Sequence, residues 1–556
     1  METSPTPGLP AHIKALLDPK AYPERPARIE LRQTHISYLF FTPEFVYKIK
    51  KPVNFGFLDF FTLEKRLFFC LEEVRLNQRL APDMYLGVVA VCEEKGGCTP
   101  GRDCTPGSRF HISGPGVAVD YAVKMKRLSP DTILEEIIKK DSGVAPQAGV
   151  APPAAAPDVI RKVARVIAAF HMSAATDARI SSFGSIKAVR KNCEENFSQT
   201  EGFSGGVISK QLFHRIRDYT FGFLKDNEAL FLERIASGFI RDVHGDIHLE
   251  NVSIDNGVAP LAGVRIFDCI EFNERFRFED TAADLSFLSM DLDFHNRHDL
   301  ARSLEGEYFA AMNDANGPKL LNFYKCYRAY VRGKVDSLKF METEVGALDR
   351  NEALLSALRH FRLAGDYASG GFAPTLIIVR GLSGAGKTTL ARMLGEALNA
   401  PVISSDIVRK ELAGVPAGEH RVAGFKKDIY TDEFTEKTYG ELISRGATLL
   451  KQGRACILDA TFSKNRFIEK AREAASSAGG VFKVIEILAK DADIKKRLAK
   501  RLAAPPKPGE PVSDMTLEIY QEQKNAFEPA DVPHFICNAG APLDENLSAS
   551  IKWLFG

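Results

Sequence analysis

The sequence predicts a two-domain protein. An α+β part over residues 1–365 is joined by a linker at 366–373 to an α/β part over 374–556, whose sheet is mostly parallel with helices on both faces. Three observations predict this. A glycine-rich stretch, Arg380-Gly381-Leu382-Ser383-Gly384-Ala385-Gly386-Lys387-Thr388-Thr389, follows the apolar run Thr375-Leu376-Ile377-Ile378-Val379 and precedes a helix-like Leu390-Ala391-Arg392-Met393-Leu394. Residues 35–125 carry the order strand, strand, helix, strand, strand. Leu363 to Phe372 contains Gly365, Gly370 and Gly371 and reads as a break between domains. The length of 556 residues also exceeds what one ordinary core organises.

Composition narrows the class. Apolar residues make up 45% and charged residues 26%, with a formal net charge of +1, which is ordinary for a globular protein and gives no basic surface for nucleic acid or membrane. From residue 372 onward 26 Lys/Arg face 23 Asp/Glu. Met1-Glu2-Thr3-Ser4-Pro5 lacks the start of a signal peptide and no run of about 18 apolar residues occurs, so a cytoplasmic protein without a membrane segment is expected. None of the nine cysteines forms a C-x-x-C pair. Cys92, Cys98 and Cys104 cluster in a Gly/Pro-rich insertion near His111. A metal site and an irregular loop with incidental thiols both fit, and the spacing favours the loop.

In chain order, residues 9–34 suggest a helix and a polar connection. His35 to Phe41, a turn at Thr42-Pro43-Glu44, and Phe45 to Lys50 read as a hairpin. Leu63 to Leu80 has helical periodicity. Tyr85 to Val91 and Val117 to Met125 read as two further strands. Residues 143–157 are rich in Ala, Pro and Gly and read as an excursion. Helical patterns follow at Val159 to His171 and Lys210 to Ile235.

The first chemical stretch is Val243-His244-Gly245-Asp246-Ile247-His248-Leu249-Glu250-Asn251-Val252, followed by the strand Val264-Arg265-Ile266-Phe267-Asp268. An Asp, an Asn five residues on and an Asp after the next strand are the polar side chains that phosphoryl transfer requires: one to accept the hydrogen bond of an attacking hydroxyl and two to hold Mg²⁺. His244, Gly245, Asp246, His248 and Asn251 match the loop H-G-D-x-H-x-x-N, and residues 30–365 resemble the aminoglycoside phosphotransferase family. The resemblance implies a bilobal protein-kinase-like domain in which Asp246 is catalytic and Asn251 and Asp268 hold Mg²⁺. It further implies that Lys48 contacts the ATP phosphates, with Glu73 as its helix partner, and that Met125 begins the hinge beside adenine. Lys50 is an alternative to Lys48. No glycine stands between the first two strands, which departs from the protein-kinase pattern. Asp280 and Asp284 either fix loops and helix ends or line an acceptor site.

The second chemical stretch fits the phosphate-loop pattern G-x-x-x-x-G-K-[ST]. Gly381, Gly384 and Gly386 free the backbone so that N–H groups, with those of Ser383, Ala385 and Thr389, converge on phosphates. Lys387 then reaches the β- and γ-phosphates and Thr388 holds Mg²⁺. Pro401 to Arg409 reads as a strand ending in D-x-x-R. Asp406 either activates an acceptor hydroxyl or caps a helix, and Arg409 is suited to an anionic acceptor group. Ala455 to Phe462 is a strand ending in Asp459, suited to Mg²⁺. Arg497 and Arg501 share one face of a basic helix, which is either an arginine-bearing lid or a solvated surface. Together these resemble the AAA-type P-loop kinases related to polynucleotide 5′-kinase, zeta toxins and gluconate kinase, over residues 374–556. The expected activity is transfer of the ATP γ-phosphoryl group to hydroxyls of small molecules. A polynucleotide 5′-hydroxyl acceptor is the less favoured alternative, as is a ligand-sensing N-terminal domain that regulates the C-terminal one.

Overall fold

The computed structural model describes residues 8–94, 109–141, 156–204, 206–255, 263–342, 346–370, 374–414, 431–503 and 517–555. Cys98, Cys104 and most of the 143–157 excursion lie outside them, as do the side chains of 500–503, including Arg501. Two compact units emerge. One comprises Met1–Glu136, Lys162–Ser185 and Phe231–Leu285; the other comprises Ile137–Arg161, Ile186–Leu230 and Ser286–Gly556.

The first unit is built on six antiparallel strands: β1 Glu30–Gln33, β2 Ser37–Phe41, β3 Phe45–Lys50, β4 Tyr85–Glu94, β5 Arg109–Ile112 and β6 Val117–Lys126, in the order β1-β2-β3-β6-β4-β5. Successive side chains of a strand point to opposite faces, and β3 uses both. Tyr47 and Ile49 join Phe40, Ala122 and Val91 in a core that also takes Ile13 and Leu16. Val46 joins Val123, Met125 and Cys70 on the other face, where the helix Leu63–Asn77 packs. Lys48 and Lys50 share the parity of Val46 and therefore face that helix. The helix starts at Thr62, whose side chain accepts from Lys65 N–H, and stops at Asn77 rather than Leu80. β5 was not expected from the sequence; it borders the Gly/Pro-rich insertion, whose composition hides a short strand.

Two further hairpins shape the first candidate site. β7 Ile240–Asp242 waits for β10 Phe278–Asp280, while β8 Val252–Ile254 pairs with β9 Val264–Ile266, each antiparallel. Residues 243–251 and 267–277 are the segments held between these pairs.

The second unit contains a five-stranded parallel sheet of β11 Thr375–Arg380, β12 Val402–Ser404, β13 Cys456–Asp459, β14 Val481–Leu488 and β15 Phe535–Asn538, in the order β12-β13-β11-β14-β15. β11 is central and apolar on both faces, as a strand covered by helices on both sides must be. Ile377 and Val379 pack with Leu390, Leu394 and Ile551 on one face, while Leu376 and Ile378 pack with Leu442, Ile443 and Ile468 on the other. This is a mixed α/β protein whose C-terminal part has a parallel sheet covered by helices on both faces.

The break expected at 366–373 is shorter than its glycines suggest. The helix Ala347–Ala368 runs through Gly365, where an added Cβ would meet Leu212 Cδ1 at 2.4 Å, so this glycine permits close helix packing rather than a turn. The chain leaves the helix at Gly370, with φ +100°. The helical residues before the break also group with the parallel sheet. Asn296 accepts from Ala455 N–H at 2.7 Å and donates to Ala455 O at 3.0 Å, and Asn399 at the end of the helix Lys387–Leu398 donates to His295 O at 2.5 Å. No helix among the described residues is long and apolar enough to cross a membrane.

Candidate functional site

The first unit brings Lys48, Glu73 and Asp268 together. Lys48 Nζ lies 2.9 Å from Glu73 Oε1 and 2.6 Å from Asp268 Oδ1. Burial opposes the Lys48 charge, but Asp268, Glu73 and Glu271 raise its pKa well above the usual lysine range. Partial loss of water around the half-exposed Asp268 likewise opposes its charge, and Lys48 holds that carboxyl below the ordinary range. Asp268 has φ +63°, a left-handed conformation that costs a residue with a Cβ about 1–2 kcal/mol. Its neighbours hold it there: the Tyr85 hydroxyl oxygen accepts from Asp268 N–H at 3.1 Å and Asn77 Oδ1 from Cys269 N–H at 2.9 Å.

The loop after β7 is fixed from beneath. Asp284, fully buried, accepts from the N–H groups of His244 and Gly245 at 3.0 and 2.9 Å and pairs with His171 at 3.0 Å. Asp280 instead pairs with Arg234 through two hydrogen bonds of 2.9 and 2.7 Å. Both carboxylates are thus buried among fixed partners, which is the loop-fixing alternative. Gly245 has φ +85°, and a Cβ there would lie 2.5 Å from Phe276 O. Burial pushes His244 down to about 4, so its ring is neutral at pH 7, and Nδ1 accepts from Asp246 N–H at 3.3 Å. Asn251 donates its side-chain N–H to the backbone and carboxylate oxygens of Asp246, at 3.0 and 3.3 Å. His248 Nε2 is 3.6 Å from the Asp246 carboxylate. Met125 lies on β6 with its side chain in the core beside Tyr85. Glu271, buried and ion-paired to Lys50, was not anticipated: three residues past Asp268, it has no motif to mark it.

In the second unit the glycine loop crosses the C-terminal edge of the sheet, where open α/β sheets place ligands. Gly381, Gly384 and Gly386 all have positive φ, of 145°, 81° and 110°. Gly386 caps the helix Lys387–Leu398, whose first turn carries Lys387, Thr388 and Thr389. Thr388 Oγ1 donates to Asp459 Oδ2 at 2.7 Å. Asp459 is 3% exposed, and burial holds its carboxyl above the ordinary range against the pull of Lys387. Lys387 Nζ donates to Leu382 O at 3.1 Å. Ala385 is buried.

Two expected residues occupy different positions from those read in the sequence. Asp406 is not at a strand end and does not cap a helix: it lies exposed in the first turn of the helix Ser405–Leu412, whose N-cap is Ser404. Arg409, one turn later, is buried and donates to Thr435 Oγ1 at 3.3 Å. Arg497, on the helix Asp491–Ala503, reaches the glycine loop itself, donating to Ala385 O at 3.0 Å and to Ala539 O at 3.1 Å. Gln523 was not anticipated. It accepts from Ser383 N–H, 140 residues away in the chain, at 2.9 Å and donates to Thr461 Oγ1 at 3.3 Å, joining the glycine loop to the segment after β13.

Each site offers oxygen donors suited to a hard cation, Asn251 with Asp268 in the first and Thr388 with Asp459 in the second. Among the described residues no group of three or more His, Cys, Asp and Glu forms a metal cage; Cys92 is buried and His111 bonds to Pro115 O at 2.6 Å.

Over 451 residues the chain is 31% identical to the uncharacterized protein Rv2004c of Mycobacterium tuberculosis (strain ATCC 25618 / H37Rv), covering 81% of each chain, and equally to the uncharacterized protein Mb2027c of Mycobacterium bovis (strain ATCC BAA-935 / AF2122/97). The chain belongs to the family of these mycobacterial proteins. Residues 376–530 match the family described as AAA domain. Among solved structures, a gluconokinase from Sinorhizobium meliloti 1021 is 20% identical, covering 33% of this chain and 94% of its own, with a TM-score of 0.24. The Mycobacterium tuberculosis APS kinase CysC, in complex with AMPPNP and APS, is 18% identical over 33% of this chain and 99% of its own, with a TM-score of 0.26. Similarity at this level assigns no acceptor.

Proposed function

We propose that this protein is an ATP-dependent phosphotransferase with two nucleotide sites, each transferring the γ-phosphoryl group to a hydroxyl of a small molecule. The observation that carries the reading is the Thr388–Asp459 hydrogen bond at the mouth of the glycine loop. A hydroxyl from the first turn of the loop's helix and a buried carboxylate from the neighbouring parallel strand form an oxygen pair that would cradle the cation of a nucleoside triphosphate. Mg²⁺ held there would neutralise charge on the phosphates. Lys387 would turn from Leu382 O to the β- and γ-phosphates, Arg497 would stiffen the loop, and Arg409 with Asp406 would face the acceptor.

The first unit is read as an aminoglycoside phosphotransferase-like site. Supporting this, Lys48 spans Glu73 and Asp268, and Asn251 is hydrogen-bonded to Asp246. Asp246 would orient the acceptor hydroxyl, Lys48 would contact the phosphates, and Asn251 and Asp268 would hold Mg²⁺. Lys50 is too deeply buried for the phosphate role. Neutral charge balance favours small acceptors over polynucleotides.

Calorimetric titration with a non-hydrolysable ATP analogue and Mg²⁺ tests the two-site reading. Two equivalents are expected to bind per chain, with one remaining in Lys387→Ala and one in Lys48→Ala. A single equivalent, lost entirely in Lys387→Ala, would leave the first unit without a nucleotide.

A further inference from the structure

Two lysines of β3 end on one glutamate. Lys48 Nζ is 2.9 Å from Glu73 Oε1 and Lys50 Nζ is 2.6 Å from Oε2. Their other partners differ. Lys48, 13% exposed at its side chain, reaches out to Asp268, whose side chain is 48% exposed. Lys50, 1% exposed, ion-pairs with Glu271, which is itself 5% exposed, and its ammonium lies 4.7 Å from the centre of the Phe60 ring. One lysine therefore faces the open side of the site and the other is sealed behind it.

The arrangement places two ammonium groups and three carboxylates in one cluster, sealed at Lys50, Glu73 and Glu271 and open at Asp268. Glu73 has no exposed surface, and a buried carboxylate deprived of its counter-ion is strongly disfavoured. On the phosphotransferase reading above, nucleotide entry requires Lys48 to exchange Asp268 for a phosphate and to share its charge between that phosphate and Glu73. If Lys48 were the sole cation at Glu73, each such exchange would weaken the anchor that positions it.

We infer that Lys50 is a positioning residue of the first site. Anchored by Glu271, it fixes the Oε2 oxygen of Glu73 so that the carboxylate keeps its place, and keeps Lys48 aimed, while Lys48 moves between Asp268 and the nucleotide. Because Glu271 lies three residues beyond Asp268, the same ion pair also ties the segment bearing Asp268 to the helix bearing Glu73. Lys50 itself does not touch the nucleotide. The inference rests on the reading of this unit as a nucleotide site.

The test uses the full chain carrying Lys387→Ala, so that the glycine-loop site is silent, and measures affinity for a fluorescent ATP analogue with Mg²⁺ alongside the thermal midpoint. Lys50→Met is expected to lower both. Lys50→Met with Glu271→Gln removes one charge of each sign and leaves the net charge of the cluster unchanged. Its midpoint is expected to return toward the parent value, while affinity stays about 10- to 100-fold weaker, the usual consequence of losing a residue that orients a ligand-contacting side chain. Parental affinity in this double variant would mean that Lys50 only neutralises Glu271, overturning the inference. Should the methionine variants fail to fold, Glu271→Gln alone releases Lys50 from its anchor and is expected to weaken binding roughly tenfold; unchanged affinity would again overturn it. No nucleotide binding in the Lys387→Ala parent would remove the reading on which the inference stands, a result separable from either of these.

Discussion

The Lys48 ammonium lies 2.6 Å from the Asp268 carboxylate although 220 residues separate them in the chain. That contact joins the six-stranded sheet to the segment after β9, and Asp268 holds it from a left-handed backbone conformation. Strain of this kind persists only where the surroundings over-determine it. Here Tyr85 and Asn77 supply the hydrogen bonds that do so.

Asp246→Asn keeps the shape of the loop and removes the group that would orient the acceptor hydroxyl. In the Lys387→Ala background, transfer by the first site should fall by about 10²- to 10⁴-fold. Nucleotide affinity should change little. Steady-state kinetics beside a binding isotherm checks this, and an equal loss in both would assign Asp246 to binding instead.

Asp284→Asn leaves the N–H groups of His244 and Gly245 without their anionic acceptor and should cost about 2–4 kcal/mol at pH 7. Burial opposes the Asp284 charge, but its bond to His171 holds its folded pKa below the ordinary value. Its contribution is therefore complete above the unfolded carboxyl value near 4 and is lost as pH falls below it. The stability gap between parent and variant should narrow in denaturant titrations as pH drops from 5 toward 3.

Asp366 has the opposite sign. Burial pushes its carboxyl up to about 6 in spite of Arg362, whose Nε lies 3.0 Å away. The folded state then binds more protons than the unfolded chain between about 4 and 6, so Asp366 lowers stability progressively as pH rises through that window. Relative to the parent, Asp366→Asn should gain about 1–3 kcal/mol between pH 4 and pH 7. A gap independent of pH would contradict this.

Gly381→Ala should disable the glycine loop, because a Cβ at φ +145° would lie 2.6 Å from Ile487 O. A stability loss of about 1–3 kcal/mol is expected, with nucleotide affinity at the second site falling as well. Gly222→Ala is the control: nothing lies within 4 Å of its Cβ and it sits inside the helix Lys210–Asp226, so a gain of about 0.5–1 kcal/mol is expected. Thermal unfolding and titration with an ATP analogue separate the two.

What the sequence made legible was local. The glycine loop could be read because its strand, turn and helix are contiguous, and the alternation of β3 put Lys48 and Lys50 on one face. That same period of two could not choose between them, since only the depth of each lysine beneath the sheet edge distinguishes them. Asp406 was misread because β12 ends two residues earlier, within the ordinary uncertainty of an element boundary. Gly365 resembled a linker residue, but an added Cβ would collide with Leu212, which is why the helix needs a glycine there. Gln523 and Glu271 act through partners 140 and 221 residues away, and nothing in their immediate sequence signals those partners.

The central claim is that two sites in one chain each transfer phosphoryl groups. Its most direct test is product analysis with γ-labelled ATP and a library of hydroxyl-bearing metabolites and 5′-hydroxyl oligonucleotides, using the parent, Asp246→Ala and Lys387→Ala. The account predicts that each variant loses a different labelled small molecule and keeps the other. Loss of every product in Lys387→Ala, with every product retained in Asp246→Ala, would contradict it and make the first unit a regulator of the second.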